Sequence, residues 1–421
     1  MPLKIVDVKS VESENNILRK FPIFYHTNFR RIVKMKVVYF DNAATTKVDE
    51  RVIRKMLICF NKKYGNASSK HEKGREAKIE LEKARRIIAK SINAKSKEIY
   101  FTSGGTESNN LALKGLFFQN KEKNHIITTK IEHDCVLNTC KWLETQGAEV
   151  TYLDVDEKGF VNSKDIENSI KKKTLVVSII HGNNEIGTIQ DLDDIGEICR
   201  GKNVLFHTDA CQSYTKTGIN VKKQNIDLIT LNAHKIHGPK GVGALYIKKG
   251  TEITPLFHGG NQESGKRSGT EDIPGIAGFG KAVKISNFKE VKKMKELRDK
   301  IINGLEKIPL VNLNGPKTEK RLCNNINISF NNIEGEAVGG YLESKGVYTS
   351  TGSACASNTL KQSHVLSAIG LSPIKVNSSI RISISKYTTE EEVDYFLKTI
   401  NKIVNKLRKI SPLIIREKSK K

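Results

Sequence analysis

Between residues 37 and 280 the chain alternates short apolar runs with longer stretches whose apolar residues recur at helical spacing. Residues 99–102, 125–129, 150–155, 175–180, 205–208 and 228–231 are the short runs, dominated by Val, Ile, Leu and Thr. Residues 51–63, 74–92, 107–118, 134–146 and 191–200 carry the helical period. Strands that are apolar on both faces belong inside a sheet covered on each side. Parallel strands need a crossover, and that crossover is usually a helix. The alternation therefore predicts an α/β fold with a mainly parallel sheet sandwiched by helices.

After residue 280 the pattern changes. A lysine-rich helical stretch (281–307) leads to a strand (326–330), a helix (336–345), a Gly/Ser loop, a second strand (379–384) and a last helix (389–408). This reads as a smaller α+β unit, to which the strand at 37–40 also belongs. The expected division is a large domain over 51–280 and a small domain made of 37–50 and 281–421. Residues 1–36 lack a clear apolar period and an apolar core of the kind a secretory signal has. They read as a leader, disordered or placed upstream of a true start at Met35.

No apolar run approaches the ~20 residues needed to span a bilayer, which predicts a chain without a membrane. The seven cysteines include no CxxC pair, against a zinc ribbon or a thioredoxin-like motif and in keeping with a reducing cytoplasm. Lysine and arginine outnumber the acids 71 to 46, a net charge of +25. Such a charge suits a polyanion, but aromatic residues are only 6% and no base-stacking motif is present. A lysine-rich solvated surface is the simpler reading.

Chemistry concentrates where strands end. Thr102-Ser103-Gly104-Gly105-Thr106 follows a strand and opens a helix, the arrangement that offers backbone amides to an anion. His133 follows the next strand, Asn184 a fully apolar one, and Asp209 ends another. Lys235 stands in Asn232-Ala233-His234-Lys235, a polar corner followed by Gly238, Pro239, Gly241 and Gly243. A lysine fixed in such a turn can lose its proton and attack a carbonyl, the chemistry of a pyridoxal phosphate Schiff base. Taken singly, each of these residues is more simply a cap, a turn or a surface charge. Ligands of open parallel sheets sit at the carboxyl ends of the strands, and all five groups fall there. The segment Thr351–Ser357, TGSACAS, sets Cys355 among small residues.

The ordered motifs YFDNAATT, TSGGTESNN, EHDCVLNTC, NNEIG, HTDACQS, AHKIHGPKGVGALY, KRSGTEDIPG and TGSACAS resemble those of the cysteine desulfurases. These are pyridoxal-phosphate-dependent enzymes of the class-V aminotransferase family, with the fold of fold-type-I transferases. The resemblance runs from Val38 to about Leu407. It implies pyridoxal 5'-phosphate held by Lys235, with Asp209 on the ring nitrogen, His133 stacked on the ring, Gln212 on the ring hydroxyl and Asn184 near it. Gly105, Thr106 and His234 would bind the phosphate. Thr270 would reach the phosphate of a neighbouring subunit, implying a homodimer. Family members often carry Ser where this chain has Asn232, whose amide would replace the Ser hydroxyl on the phosphate. Arg381 would take the substrate carboxylate, with Asn42 close by.

Cys355 would be the nucleophile that takes sulfur from L-cysteine, leaving alanine and a persulfide. The resemblance also implies sulfur acceptors such as an iron–sulfur scaffold or a tRNA-thiolation partner, and a transient iron–sulfur cluster at Cys355 as a metal role. Rival readings are a selenocysteine lyase, a kynureninase-like hydrolase, a plain aminotransferase on the same scaffold, or a basic RNA-associated scaffold protein without activity.

Overall fold

The computed structural model describes residues 36–317, 319–351 and 362–411. The expectations for the leader and for Cys355 fall outside these residues.

Strand β1 (Val38–Tyr39) precedes helices α1 (Glu50–Asn61) and α2 (Glu72–Ser91). Then come β2 (Ile99–Thr102), α3 (Gly105–Gln119), β3 (His125–Thr129), α4 (Asp134–Glu144) and β4 (Glu149–Leu153). After a short helix, α5 (Ser163–Ser169), follow β5 (Thr174–Ser178), α6 (Leu192–Gly201), β6 (Leu205–Asp209), β7 (Leu228–Asn232) and β8 (Gly243–Ile247). These seven strands, β2 to β8, form one sheet in the order β2-β8-β7-β6-β5-β3-β4. Strands β4, β3, β5, β6 and β7 are parallel, and β8 runs antiparallel to both β7 and β2. Two reversals restore direction, so β2 points the same way as the parallel set.

The sheet is buried on both faces, as its apolar strands require. Ile126, Val176, Leu228 and Leu245 pack on one side with Leu111, Leu116, Val136 and Leu143 of α3 and α4. Their sequence neighbours Ile127, Val177, Ile229 and Tyr246 pack on the other with Val52, Leu81, Ile88 and Ile195 of α1, α2 and α6. This is the two-residue alternation of a pleated strand, with each face given its own helical layer.

Beyond the sheet, helices α7 (Ile273–Ile285) and α8 (Phe288–Glu306) replace the single helix expected over 281–307. Ser286 is extended, and the Asn287 side chain accepts from the Glu290 amide, so one helix stops and the next is capped within two residues. A four-stranded antiparallel sheet follows in the order β12 (Ser350–Thr351), β13 (Ser379–Ser383), β10 (Asn325–Phe330), β9 (Val311–Leu313). Helix α9 (Gly335–Glu343) leads to β11 (Val347–Tyr348), which pairs in parallel with β1. The last helix, α10, spans Glu390–Ile410.

The inner face of this sheet, Ile326, Ile328, Phe330, Ile380 and Ile382, joins Leu297, Ile301, Phe396 and Ile400 in a separate core, together with Val38 and Phe40. The opposite face is polar: Asn325, Asn327, Ser329, Ser379, Arg381 and Ser383. It lies against the turn after β5, where Asn325 and Asn327 Nδ2 donate to the Glu185 carbonyl at 3.1 and 3.2 Å. That contact carries β13, and with it Arg381, to the carboxyl edge of the large sheet.

Candidate active site

At the end of β2 the chain turns through Gly104 (φ 155°) into the first turn of α3. The turn is closed from beneath: a Cβ on Gly243 would stand 2.7 Å from the Gly104 Cα, so only glycine lets β8 approach this closely. A Cβ on Gly105 would meet Cys211 Sγ at 2.7 Å, and the Asn232 amide nitrogen lies 3.7 Å from the same point. Glu107 fastens the turn by accepting from the Ser103 amide at 2.8 Å and pairing with Arg267 at 2.9 Å. Burial opposes the Glu107 charge, but Arg267 and Ser103 outweigh it and hold the carboxyl below its usual range. Thr106 is exposed at the mouth of this turn.

Asp209 is the last residue of β6 and is buried. Its Oδ1 accepts from the Cys211 amide at 2.9 Å and its Oδ2 from Asn109 Nδ2 at 2.7 Å. The carboxylate is thus held in one orientation by two donors from different elements. His133 caps α4: its Nδ1 accepts from the Cys135 amide at 3.2 Å. An accepting Nδ1 leaves the proton on Nε2. Burial lowers the His133 pKa, with Asp209 opposing, so the ring is neutral near pH 7 and Nε2 is its donor.

Lys235 follows β7. Its Nζ donates to the Ala43 carbonyl, and Gln212 Nε2 donates to the same oxygen at 2.8 Å. His234, one residue earlier, meets Thr45 Oγ1 through Nδ1 at 3.2 Å. Burial, followed by the charges of Lys235, Lys240 and Lys216, brings His234 down to about 4. Asn184 Oδ1 and Asn232 Oδ1 are both buried without a hydrogen-bond partner among the described residues. Buried amide oxygens in that state call for a ligand or water.

Arg381 reaches this edge from the small sheet. Its Nη1 donates to the Asn184 carbonyl at 3.2 Å and its Nη2 pairs with Asp41 at 2.9 Å, while its buried Nε has no partner among the described residues. A buried guanidinium nitrogen in that state calls for a ligand or water. Asn42, between Asp41 and Ala43, spends its own amide hydrogens on the carbonyls of Tyr39 and Ser383 at 3.0 and 2.8 Å. It braces the segment that supplies both Asp41 and the Ala43 carbonyl.

Thr270 is exposed, three residues beyond the Arg267 that clamps the α3 turn. Cys355 lies outside the described residues, and so does its expected metal role. The segment that contains it is entered and left at this edge. Thr351 pairs with Ile380, next to Arg381. On the far side, Ser363 Oγ donates to Glu185 at 2.5 Å and His364 Nε2 bonds the Glu132 carbonyl at 2.9 Å.

Several residues here escaped sequence reasoning. Asn109 and Cys211 lie inside motifs but one to three positions from the residue singled out. Glu132 directly precedes His133 and is fully buried. Its Oε1 accepts from Thr129 Oγ1 at 2.6 Å and the Ile180 amide at 2.8 Å, and its Oε2 has no partner among the described residues. Burial is the main force that raises this carboxyl to about 8. A carboxyl raised in the folded state costs stability as pH climbs from its unfolded value, about 4.3, to its folded value. Glu132→Gln is isosteric and does not titrate. Its urea midpoint should lie only slightly above the wild type near pH 5 and well above it at pH 8. The gain is bounded by roughly 4–5 kcal/mol, from 1.4 kcal/mol per pKa unit. An equal gap at both pH values would show that Glu132 does not titrate in this range.

The aminotransferase class-V family model matches residues 38–396. A protein of Methanosarcina thermophila named cysteine desulfurase IscS is 48% identical over 386 residues, which are 91% of this chain and 95% of that protein. A solved structure titled NifS-like protein is 43% identical and superposes with a TM-score of 0.83, covering 88% of this chain and all of that one. Another, titled SspA in complex with cysteine, is 39% identical with a TM-score of 0.76, covering 84% of this chain and all of its own. With the strand-end constellation in place and these matches spanning nearly the whole described fold, the chain belongs to the aminotransferase class-V family, on the side of that family where the cysteine desulfurases lie.

Proposed function

We propose that this chain is a cysteine desulfurase that uses pyridoxal 5'-phosphate, releases L-alanine from L-cysteine and keeps the sulfur as a persulfide on Cys355. The observation that carries the reading is the convergence of Lys235, Asp209, His133, Asn184 and Arg381 on one sheet edge, in a chain 48% identical to a protein named for this activity.

The residues present fit the cofactor. Its phosphate is matched by the α3 turn at Gly105 and Thr106, by Asn232 and by His234. Its ring hydroxyl is matched by Gln212 and the unpartnered Asn184 Oδ1, and its ring nitrogen by Asp209. His133 would lie on its face and Lys235 would hold it covalently. When bound, the cofactor supplies an electron sink for bonds broken at the substrate carbons. Arg381 orients the substrate carboxylate with its spare donor. Lys235 Nζ removes the Cα proton and later returns a proton to the substrate carbon. Cys355, as thiolate, attacks the substrate Sγ: an S–S bond forms and the Cβ–Sγ bond breaks. The balance is enzyme thiol plus L-cysteine giving enzyme persulfide plus L-alanine.

We extend the reading to a homodimer in which Thr270 serves the partner's phosphate. Helix α1 supports this with Ile53, Leu57 and Phe60, and Tyr64 just beyond its end, all exposed on one helical stripe. We also propose the division at 51–280 and 37–50 with 281–421, supported by the separate core of the small sheet. The acceptors would be an iron–sulfur scaffold or a tRNA-thiolation partner, with Cys355 passing sulfur to the scaffold and sharing its cluster, in the cytoplasm. No helix among the described residues is long and apolar enough to cross a membrane.

Purified protein loaded with pyridoxal phosphate should release alanine and sulfide from L-cysteine in equal amounts under dithiothreitol. Cofactor-loaded protein that forms neither, yet releases selenide from selenocysteine, would replace this substrate.

A further inference from the structure

Lys216 lies in the turns after β6, part-buried, and no carboxylate stands within ion-pair distance of it among the described residues. Its ammonium instead donates to two main-chain carbonyls, Gln212 O at 2.8 Å and Lys235 O at 3.3 Å. Those are the residues whose own side chains converge on the Ala43 carbonyl. A small cavity of about 30 Å³ touches both lysines and is otherwise lined by Thr46, His237, Glu290 and Lys386 among others.

A cation taken from water without a counter-ion is costly, and charge-assisted bonds to carbonyls return only part of that cost. Burial brings the Lys216 ammonium down to about 8, so it remains mostly charged at neutral pH. A neutral side chain could fill this space without that cost. What the lysine adds is a bridge between the turn after β6 and the turn after β7, which no β-ladder joins.

We propose that Lys216 is a positioning residue. By clamping the main chain of Gln212 to that of Lys235, it sets the Lys235 amine and the Gln212 amide at one fixed separation on Ala43. Lys216 touches neither substrate nor cofactor and acts through Lys235. The inference rests on the proposal that Lys235 carries pyridoxal phosphate.

The test uses the full-length chain. Cofactor-free protein is titrated with pyridoxal phosphate, reduced with borohydride, and the fraction modified at Lys235 is read by mass spectrometry. Lys216→Met removes both bonds and should weaken occupancy at Lys235 at least about tenfold, the worth of one charge-assisted bond. Lys216→Arg keeps charge and donors and should recover most of it. The melting temperature of each cofactor-free variant is read alongside, and if Lys216→Met does not fold, Lys216→Gln is read in its place. Wild-type occupancy in the neutral variant overturns the proposal. So does a loss that tracks only the fall in melting temperature and is not restored by arginine. Failure of the wild-type chain to be modified at Lys235 would instead overturn the cofactor reading.

Discussion

Lys235→Ala is expected to lower alanine formation by at least about 10³-fold and to abolish the visible absorption of the cofactor-loaded protein. The size follows from two losses at one atom. The covalent anchor goes, and with it the base that moves the Cα proton, a role that by itself accounts for about 10²- to 10⁴-fold. The fold should tolerate the change. Lys235 makes its side-chain bond to the Ala43 carbonyl, and Gln212 continues to donate to that oxygen. The Lys216 bond goes to the Lys235 main chain and survives substitution of the side chain. Melting temperature should therefore move by only a few degrees while activity collapses, and the two are measured on the same preparation. A variant that keeps more than a tenth of wild-type alanine release would place the base elsewhere.

The parts of this site that could be read from sequence are those governed by local rules. Apolar strands alternating with helical periods dictate a covered parallel sheet, and strand ends on one edge then bring Gly105, His133, Asn184, Asp209 and Lys235 together. Strand β8 went unseen because its residues, GALYI, follow a glycine-rich turn and read as the tail of a motif. Its antiparallel pairing depends on Gly243 fitting against Gly104, a contact 139 residues apart in the chain. The break between α7 and α8 was hidden in the same way, since the lysines of 281–307 keep a helical period across Ser286 and Asn287. Asn109 and Lys216 were invisible for a further reason. Each acts through long-range bonds, Asn109 to Asp209 and Cys135, and Lys216 to the Lys235 carbonyl, and nothing in their neighbours signals it. Arg381 was reached only through the family resemblance. Its geometry depends on a polar face of the small sheet docking on the turn after β5.

Cys355→Ala should abolish sulfide and alanine release while leaving the proton step intact. The thiolate is the reactive form of cysteine, and the site offers no other good one. Burial, the leading cause in each case, raises all six described thiols. Cys135, Cys140 and Cys199 reach about 12, Cys211 stands well above its usual value, and Cys59 and Cys323 are raised as well. Cys135 and Cys211, although beside Asp209, are therefore thiols at neutral pH. Cys355 is four residues beyond Thr351, which pairs with Ile380 next to Arg381. In the proposed reaction the proton step is given to Lys235 and does not require that thiol. In deuterium oxide, Cys355→Ala should still exchange the Cα hydrogen of L-cysteine, seen as loss of its proton resonance, while alanine stays below about 10⁻³ of the wild-type rate. Loss of exchange together with loss of alanine would mean that Cys355 helps to seat the substrate. Alanine release near the wild-type rate would transfer the sulfur chemistry to another residue. Exchange without release would separate the two halves of the reaction, assigning carbon to Lys235 and sulfur to Cys355.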